Sequence, residues 1–480
     1  MSPGGSSVGV VTHEQSGAER TVADPMSTTQ RFVLWIAILG SFVAFLDGTI
    51  VNVALPAISD ELGGGLRTQQ WVVDAYLITL GALILVAGSV SDAYGRVLVL
   101  RIGLIGFGVA SLAIAAAPTA EFLIVARAVQ GAAGAFLVPS SLALITSNFS
   151  GGAQGRAIGI WTAMTTSAMI VGPLIGGLLV DLASWRLAFL INVFPIGATL
   201  VLLARGGFRD TRQPDASIDW LGAALCTLGL GGMVYALIEQ PHLGWSSPAI
   251  WVPLLLGAVL FVLFILRQRR VRSPILPLDL FRVRNFSAGN IATTFIYGAL
   301  ALNGMVVVVY LQEGAGLSAT LAGLASLPTT ILLILFSSRV GALSGRWGPR
   351  LFMTVGPITM GVGALLLLTV STDFSYWWQV LPSMIVLGAG LALTVAPLTS
   401  AILGSIGPER SGIASAVNNA VARVAGLIAI ALLATIVGGA LDLDGFHRAA
   451  IVTAALMIAG GITSFLGIRN PETDAETPPA

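Results

Sequence analysis

Fourteen apolar stretches divided by short polar breaks leave this chain of 480 residues few folds to choose from. They fall at about 32–58, 70–90, 98–117, 120–147, 156–182, 186–205, 219–239, 250–267, 286–312, 318–338, 351–371, 376–404, 411–438 and 446–468. Roughly 20 apolar residues carry a helix across a bilayer. In lipid each backbone N–H and C=O must be satisfied within its own segment, so such stretches become helices. Only 10% of the residues are charged and mean hydropathy is +0.90, against about 25% charged in soluble proteins. The chain reads as an all-α membrane protein with 14 transmembrane helices.

Arginine supplies every basic side chain, because the sequence contains no lysine. A P-loop ATPase needs a lysine on its nucleotide phosphates and a pyridoxal enzyme needs one for its Schiff base, so neither can be built. His13, His242 and His447 are scattered and Cys226 is the sole cysteine, which leaves no metal spacing and no internal disulfide. No nucleophile–base pair stands out. The sequence therefore points away from an enzyme, a cofactor, a metal and a nucleic-acid partner, and towards work driven by something other than its own ATP hydrolysis.

The arginines also orient the chain. Arg96, Arg101, Arg156, Arg205, Arg209, Arg212, Arg267, Arg269, Arg270, Arg272, Arg282, Arg284, Arg346, Arg350, Arg410 and Arg469 fall on one side of a fourteen-helix topology. Arg67, Arg186 and Arg448 fall on the other. The positive-inside rule then expects a multi-pass protein of the cytoplasmic membrane, both termini cytoplasmic. A weak repeat adds organisation: Gly88-Ser89-Val90-Ser91-Asp92-Ala93-Tyr94-Gly95-Arg96 is echoed by Gly341 to Arg350, with Gly345 at the place of Asp92. Gly134 to Pro139 is echoed by Gly390 to Pro397. The expected units are a disordered tail over 1–30, a six-helix bundle over 31–205, and two inserted helices with a loop over 206–285. A second six-helix bundle over 286–468 and a tail over 469–480 complete them.

Asp47 lies within the first apolar stretch, in Leu46-Asp47-Gly48-Thr49-Ile50-Val51-Asn52-Val53-Ala54-Leu55-Pro56. An ionised carboxylate there costs about 3 kcal/mol on insertion scales and marks an ion or substrate pathway by default; the plainer reading is an acid bracing a broken helix beside Gly48. Asp74 and Arg127 sit roughly 6 Å and 10 Å inside the outer ends of the second and fourth segments, at 1.5 Å per residue. Desolvation favours the protonated form of such an acid and a neighbouring arginine the ionised form, so movement between those settings binds and releases a proton. A buried structural ion pair accounts for the three residues as well. Gly172-Pro173 can bend the fifth helix, and Gly159, Ala168, Gly172, Gly176 and Gly177 give it a small-residue face for close packing.

Four stretches in order resemble the fourteen-helix drug–proton antiporters of the major facilitator superfamily, over about 30–470. Leu46–Pro56 is similar to the helix 1 signature, Gly88–Arg96 to the loop between helices 2 and 3, and Arg127-Ala128-Val129-Gln130-Gly131 to the helix 4 motif. Gly172-Pro173-Leu174-Ile175-Gly176-Gly177 resembles the antiporter motif of helix 5, and Trp185-Arg186 with Phe189-Leu190-Ile191-Asn192-Val193 fits the same branch. The resemblance implies a major facilitator fold of two six-helix bundles plus two inserted helices. It implies an exporter of lipophilic, often cationic drugs in exchange for protons; a monomer is the expected state. Asp47 would be the main coupling acid, Asp74 a second acid or counter-charge, and Arg127 the residue that resets protonation. Gly88, Asp92, Gly95 and Arg96 would form a cytoplasmic gate, although Ala93, Val97 and Leu98 stand where the motif has further basic residues.

Residues placed to line a substrate cavity are Trp161, Met164, Tyr297, Asn303, Tyr310, Gln312, Asn418 and Asn419, alongside Asp47 and Asp74. An apolar wall with a few polar groups suits a lipophilic ligand. Glu239 and Glu313 are expected to end their helices in solvent. Other readings are a dedicated exporter of a self-made antibiotic, other metabolite or lipid, a proton-coupled importer, and a non-transporting sensor or scaffold.

Overall fold

The computed structural model describes residues 26–208, 210, 218–407 and 410–470, so Arg209, Arg212 and most of the two expected tails lie outside the described residues. Among the described residues fourteen helices are long and apolar enough to cross a membrane: α1 Thr28–Leu62, α2 Gly65–Tyr94, α3 Arg96–Ala115, α4 Ala120–Asn148, α5 Ala153–Leu182, α6 Trp185–Arg205 and α7 Trp220–Leu243. The remainder are α8 Pro248–Gln268, α9 Arg284–Glu313, α10 Ala319–Trp347, α11 Pro349–Thr369, α12 Tyr376–Gly404, α13 Ser411–Ala431 and α14 Leu443–Gly467. No strand occurs among the described residues.

Helix ends follow local chemistry more than hydropathy. Ser27 and Gln30 form a reciprocal capping box, with Gln30 N–H donating to Ser27 Oγ at 3.1 Å. That box starts α1 inside the stretch expected as tail, because two N-terminal donors are satisfied there. Prolines set interior breaks. The turns at Ala135 in α4 and Ile191 in α6 each lie four residues before a proline, Pro139 and Pro195. The ring removes one N–H and crowds that carbonyl.

Helices α1–α6 pack among themselves, as do α9–α14; α7 packs on α8 and lies against α2 and α13. The two groups are joined at the end away from most arginines. One apolar cluster there takes Ile50, Leu55 and Val72 from the first group and Leu302, Val309 and Ile430 from the second. Gln70 donates to the Ile430 and Ala431 carbonyls, Gln312 to the Val53 carbonyl, and Gln69 to Glu313. Towards the arginine-rich end the groups part. Gly48 of α1 and Gly88 of α2 face open space, and Gly412 and Asn419 of α13 are exposed.

The repeat seen in sequence has a structural counterpart. Gly95, at φ +106°, and Gly348, at φ +79°, hold left-handed breaks after α2 and α10. A Cβ at Gly95 would lie 2.5 Å from the Asp210 carboxyl carbon, and one at Gly348 would lie 2.2 Å from the Asn470 amide carbon. Asp210, beyond α6, accepts the Val97 and Leu98 N–H groups; Asn470, beyond α14, accepts that of Arg350. The two groups thus cap equivalent helix starts with equivalent side chains.

Two expectations need correction. Asp74 is nine residues from the start of α2 at Gly65, about 14 Å along the axis, because Thr68-Gln69-Gln70 continue the helix and the two glutamines bury their amides across the interface. Glu239 is only 3% exposed, accepting from Arg67 Nε at 2.8 Å and Trp71 Nε1 at 2.9 Å, while Glu313 accepts from Gln69. Glu239 thus ties helices together instead of ending α7 in solvent, whereas Glu313 does end α9 exposed and holds Gln69 as well.

The other end of α7 carries an anchor. Asp219 caps Gly222 N–H and accepts from Arg267 and Gln268 of α8. Burial raises the Asp219 carboxyl, but the Gly222 N–H, Arg267 and Gln268 outweigh it and hold it below the ordinary aspartate range. A depressed acid contributes stability above its unfolded pKa and loses it as pH falls through the folded one. Asp219→Asn should therefore lower thermal stability at neutral pH, with the gap to wild type closing only below about pH 4.

Candidate functional site

The first feature is a saturated ion pair. Asp47 is fully buried and Arg127 is 1% exposed, with Arg127 Nη1 donating to Asp47 Oδ2 at 2.6 Å. The other carboxylate oxygen accepts from Gln130 Nε2 at 3.0 Å and Asn192 Nδ2 at 3.1 Å. Arg127 Nε donates to the Val72 carbonyl, and the guanidinium lies 4.3 Å from the Tyr76 ring centroid and 5.6 Å from that of Phe189. The α6 break before Pro195 is what turns Asn192 towards this group. Charge-assisted bonds of this number hold both partners in one geometry. The structure thus brings Asp47 and Arg127 together and leaves Asp74 apart.

Asp74 is fully buried, and among the described residues neither of its oxygens has a hydrogen-bond partner. Gln70, one turn before it, bonds to α13, and Gly81, two turns after it, packs on Arg423 of α13. At helical spacing Asp74 therefore lies on the α2 face towards the second group.

The loop after α2 is unlatched. Asp92 is 40% exposed and bonds to its own loop neighbour Arg96 at 3.2 Å, while Arg96 also donates to the Ala143 carbonyl. Gly88 touches nothing, and Gly95 makes room for Asp210. At the sealed end the helix 5 glycines are in contact. A Cβ at Gly172 would meet Thr49 and one at Gly176 would meet Ile50, both on α1. A Cβ on Gly177 would fall 2.5 Å from Thr320 Cα, and one on Gly323 would fall 2.7 Å from the Pro173 carbonyl oxygen. Asp181, one turn beyond Gly177, accepts the Ala319 and Thr320 N–H groups at 2.9 Å each. The motif therefore packs on α1 with one side and closes on α10 with the other. Gly177→Val would push α5 from α10 and disfavour this closed arrangement, since backbone cannot yield as a side chain does. A cysteine placed at Ala319, buried against Gly177 in this arrangement, should then react with a membrane-impermeant maleimide at least about tenfold faster than in the parent, a shift of roughly 1.4 kcal/mol.

The expected cavity residues do not form one wall. Trp161 donates to the Ala37 carbonyl and Ser41, and so braces α1. Asn418 donates to Asn290 and Thr293, and Gln312 to the seal. Tyr310 stacks on Phe446 at 4.2 Å and lines a recess of about 610 Å³ at the sealed end. Met164 and Asn419 are exposed, Tyr297 is half-buried, and Asn303 is 9% exposed close to where α9 meets Asn52 of α1. Sequence reasoning passed over Gln130, Asn192, Asp181, Asp210 and Arg423. Gln130 and Asn192 stood inside motifs already singled out, and Arg423 obeys the same rule that picked Asp47, a charge within an apolar stretch.

Residues 37–430 match the Major Facilitator Superfamily. The methylenomycin A resistance protein of Bacillus subtilis is 33% identical over 87% of this chain and 90% of that one. The puromycin resistance protein of Streptomyces alboniger is 34% identical over 85% and 82%, and the tetracenomycin C resistance and export protein of Streptomyces glaucescens is 30% identical over 88% and 79%. Among solved structures, the POT family transporter PepTSo superposes with a TM-score of 0.68 at 17% identity, covering 92% of this chain and 98% of that one, which shows the shared fold. With fourteen spanning helices in two six-helix groups and two inserted between them, the chain belongs to the Major Facilitator Superfamily, a family of membrane transporters rather than enzymes.

Proposed function

We propose that this protein is a proton-coupled exporter of lipophilic small molecules that works by alternating access in the cytoplasmic membrane. The arginine-rich face is cytoplasmic on the positive-inside rule, so both termini are cytoplasmic and the arrangement described opens inward and is closed outward. The expected bundles over 31–205 and 286–468 rock about the cavity between them, and the protein acts as a monomer. Resistance and export proteins among the relatives support export of small molecules.

The observation that carries proton coupling is Asp74, buried with both oxygens bare at the interface that must part. An ionised carboxylate there bears the whole cost of desolvation with nothing to offset it, whereas the neutral acid does not. Asp74 therefore holds a proton while the outer side is closed, and exchanges it when α2 and α13 separate. Asp47, with Arg127, Gln130 and Asn192 on it, is the fixed neutral element of the site and becomes a second proton acceptor only if α4 withdraws its arginine. Asp92 and Arg96 form the inner gate in the opposite state, with Gly88 and Gly95 giving the loop its close approach.

The test uses purified protein in liposomes with an internal pH-sensitive dye and an imposed pH gradient. A panel of lipophilic compounds, ethidium and puromycin among them, is added in turn. At least one should drive proton movement that empty liposomes lack. Folded protein that moves no protons with any of them overturns the proposal.

A further inference from the structure

We propose that Arg423 is the anion-recognising group of the substrate cavity, so that the preferred substrates are lipophilic weak acids bearing a carboxylate or an ionised enol or phenol. This deepens the exporter reading by naming the substrate class.

Arg423 lies twelve residues into α13 from Ser411, about 18 Å along the axis and near mid-membrane. Its Cβ packs 3.5 Å from the position a Cβ would take on Gly81 of α2. One turn further, Leu85 of α2 still packs on the second group; beyond it, towards the arginine-rich end, α2 and α13 part: Gly88 faces open space, and Asn419, one turn from Arg423 on the same face, is exposed. Arg423 therefore sits where the inward opening narrows to the seal. It is half-buried and close enough to act electrostatically on Tyr76 of α2 and Tyr297 of α9.

Arg127 and Arg423, both within spanning helices, contrast. Arg127 spends its donors on Asp47, Gln130 and the Val72 carbonyl. Arg423, among the described residues, makes no hydrogen bond and no ion pair. An arginine has five N–H donors in a planar fork matched to a carboxylate, and a charge held within the membrane is functional by default. The acids expected to attract cations do not supply a negative cavity. Asp47 is neutralised by Arg127, and Asp74 is shut away two turns towards the seal. The free charge facing the opening at this depth is positive, with Asn419 and the Tyr297 ring placed to add a polar and an aromatic contact.

The test is direct binding with no proton gradient, so it stands or fails separately from proton coupling. Purified full-length protein in detergent is titrated with 1-pyrenebutyrate, its carboxamide and a pyrenylbutyl-trimethylammonium, reading energy transfer from tryptophan to pyrene. Wild type should bind the carboxylate at least about tenfold tighter than the carboxamide, the scale of a charge-assisted fork. Arg423→Gln should erase that preference while leaving carboxamide binding within about twofold, and Arg423→Lys should retain part of it. The proposal is overturned if wild type binds the carboxamide or the ammonium as tightly as the carboxylate. It is equally overturned if Arg423→Gln weakens all three alike, the result expected of a structural residue or of a counter-charge for Asp74.

Discussion

Replacing Asp74 by asparagine will abolish substrate-driven proton movement and leave the fold intact. The side chains are nearly the same size, and the wild-type carboxyl has no hydrogen bond to lose. Thermal stability should stay within about 1 kcal/mol of wild type, as for substitutions that break no partner. Transport should change far more. One charge moved through 100 mV is worth about 2.3 kcal/mol, which supports a concentration ratio of roughly fifty-fold per coupled proton. In liposomes carrying a pH gradient and a membrane potential, Asp74→Asn should equilibrate substrate without accumulating it. Retained accumulation in that variant would remove Asp74 from the coupling mechanism.

The second large effect is on stability. Asp47→Ala leaves the Arg127 guanidinium buried without its anion, and Arg127→Leu leaves the Asp47 carboxylate buried without its cation. Each single change should cost about 3–5 kcal/mol, because breaking a buried pair strands a charge. The double variant should be more stable than the sum of the singles predicts, and close to the better single, since no charge is stranded in it. Equilibrium denaturation in mixed micelles reads this cycle. If each single change costs under about 1 kcal/mol, the pair is not what fixes α1 to α4, and Asp47 is free to exchange protons as the helix 1 motif implies.

The number of helices and the packing motifs were legible because both depend on residues that lipid selects strongly. Apolar runs place the spans, and the Gly172–Gly177 glycines lie where a side chain would strike Thr49, Ile50 or Thr320. What the sequence obscured was polar chemistry that serves another helix. Gln69 read as loop and Gln70 as a helix end because glutamine lowers hydropathy, yet their amides satisfy carbonyl and carboxylate groups across the interface. Glu239 read as a solvated end because its partners, Arg67 and Trp71, are about 170 positions away in sequence. Asp181 is an ordinary helix-end acid until α10 is placed over it. Asp47 ranked first on depth and on the helix 1 signature, neither of which reports partners. Its oxygens are occupied and those of Asp74 are not.

Glu239 also decides which parts travel together. It grips α2 through both Arg67 and Trp71, whereas the hydrogen bond from α7 to the second group in this region is the exposed one between Thr435 and Gln240. Helix α8 packs on α7. The inserted pair is therefore held to the first group by buried polar bonds and to the second mainly by apolar packing on Leu427 and Ala431. If the two groups rock as proposed, the inserted pair travels with the first, so that eight helices move against six and the hinge line runs along the α13 side of α7.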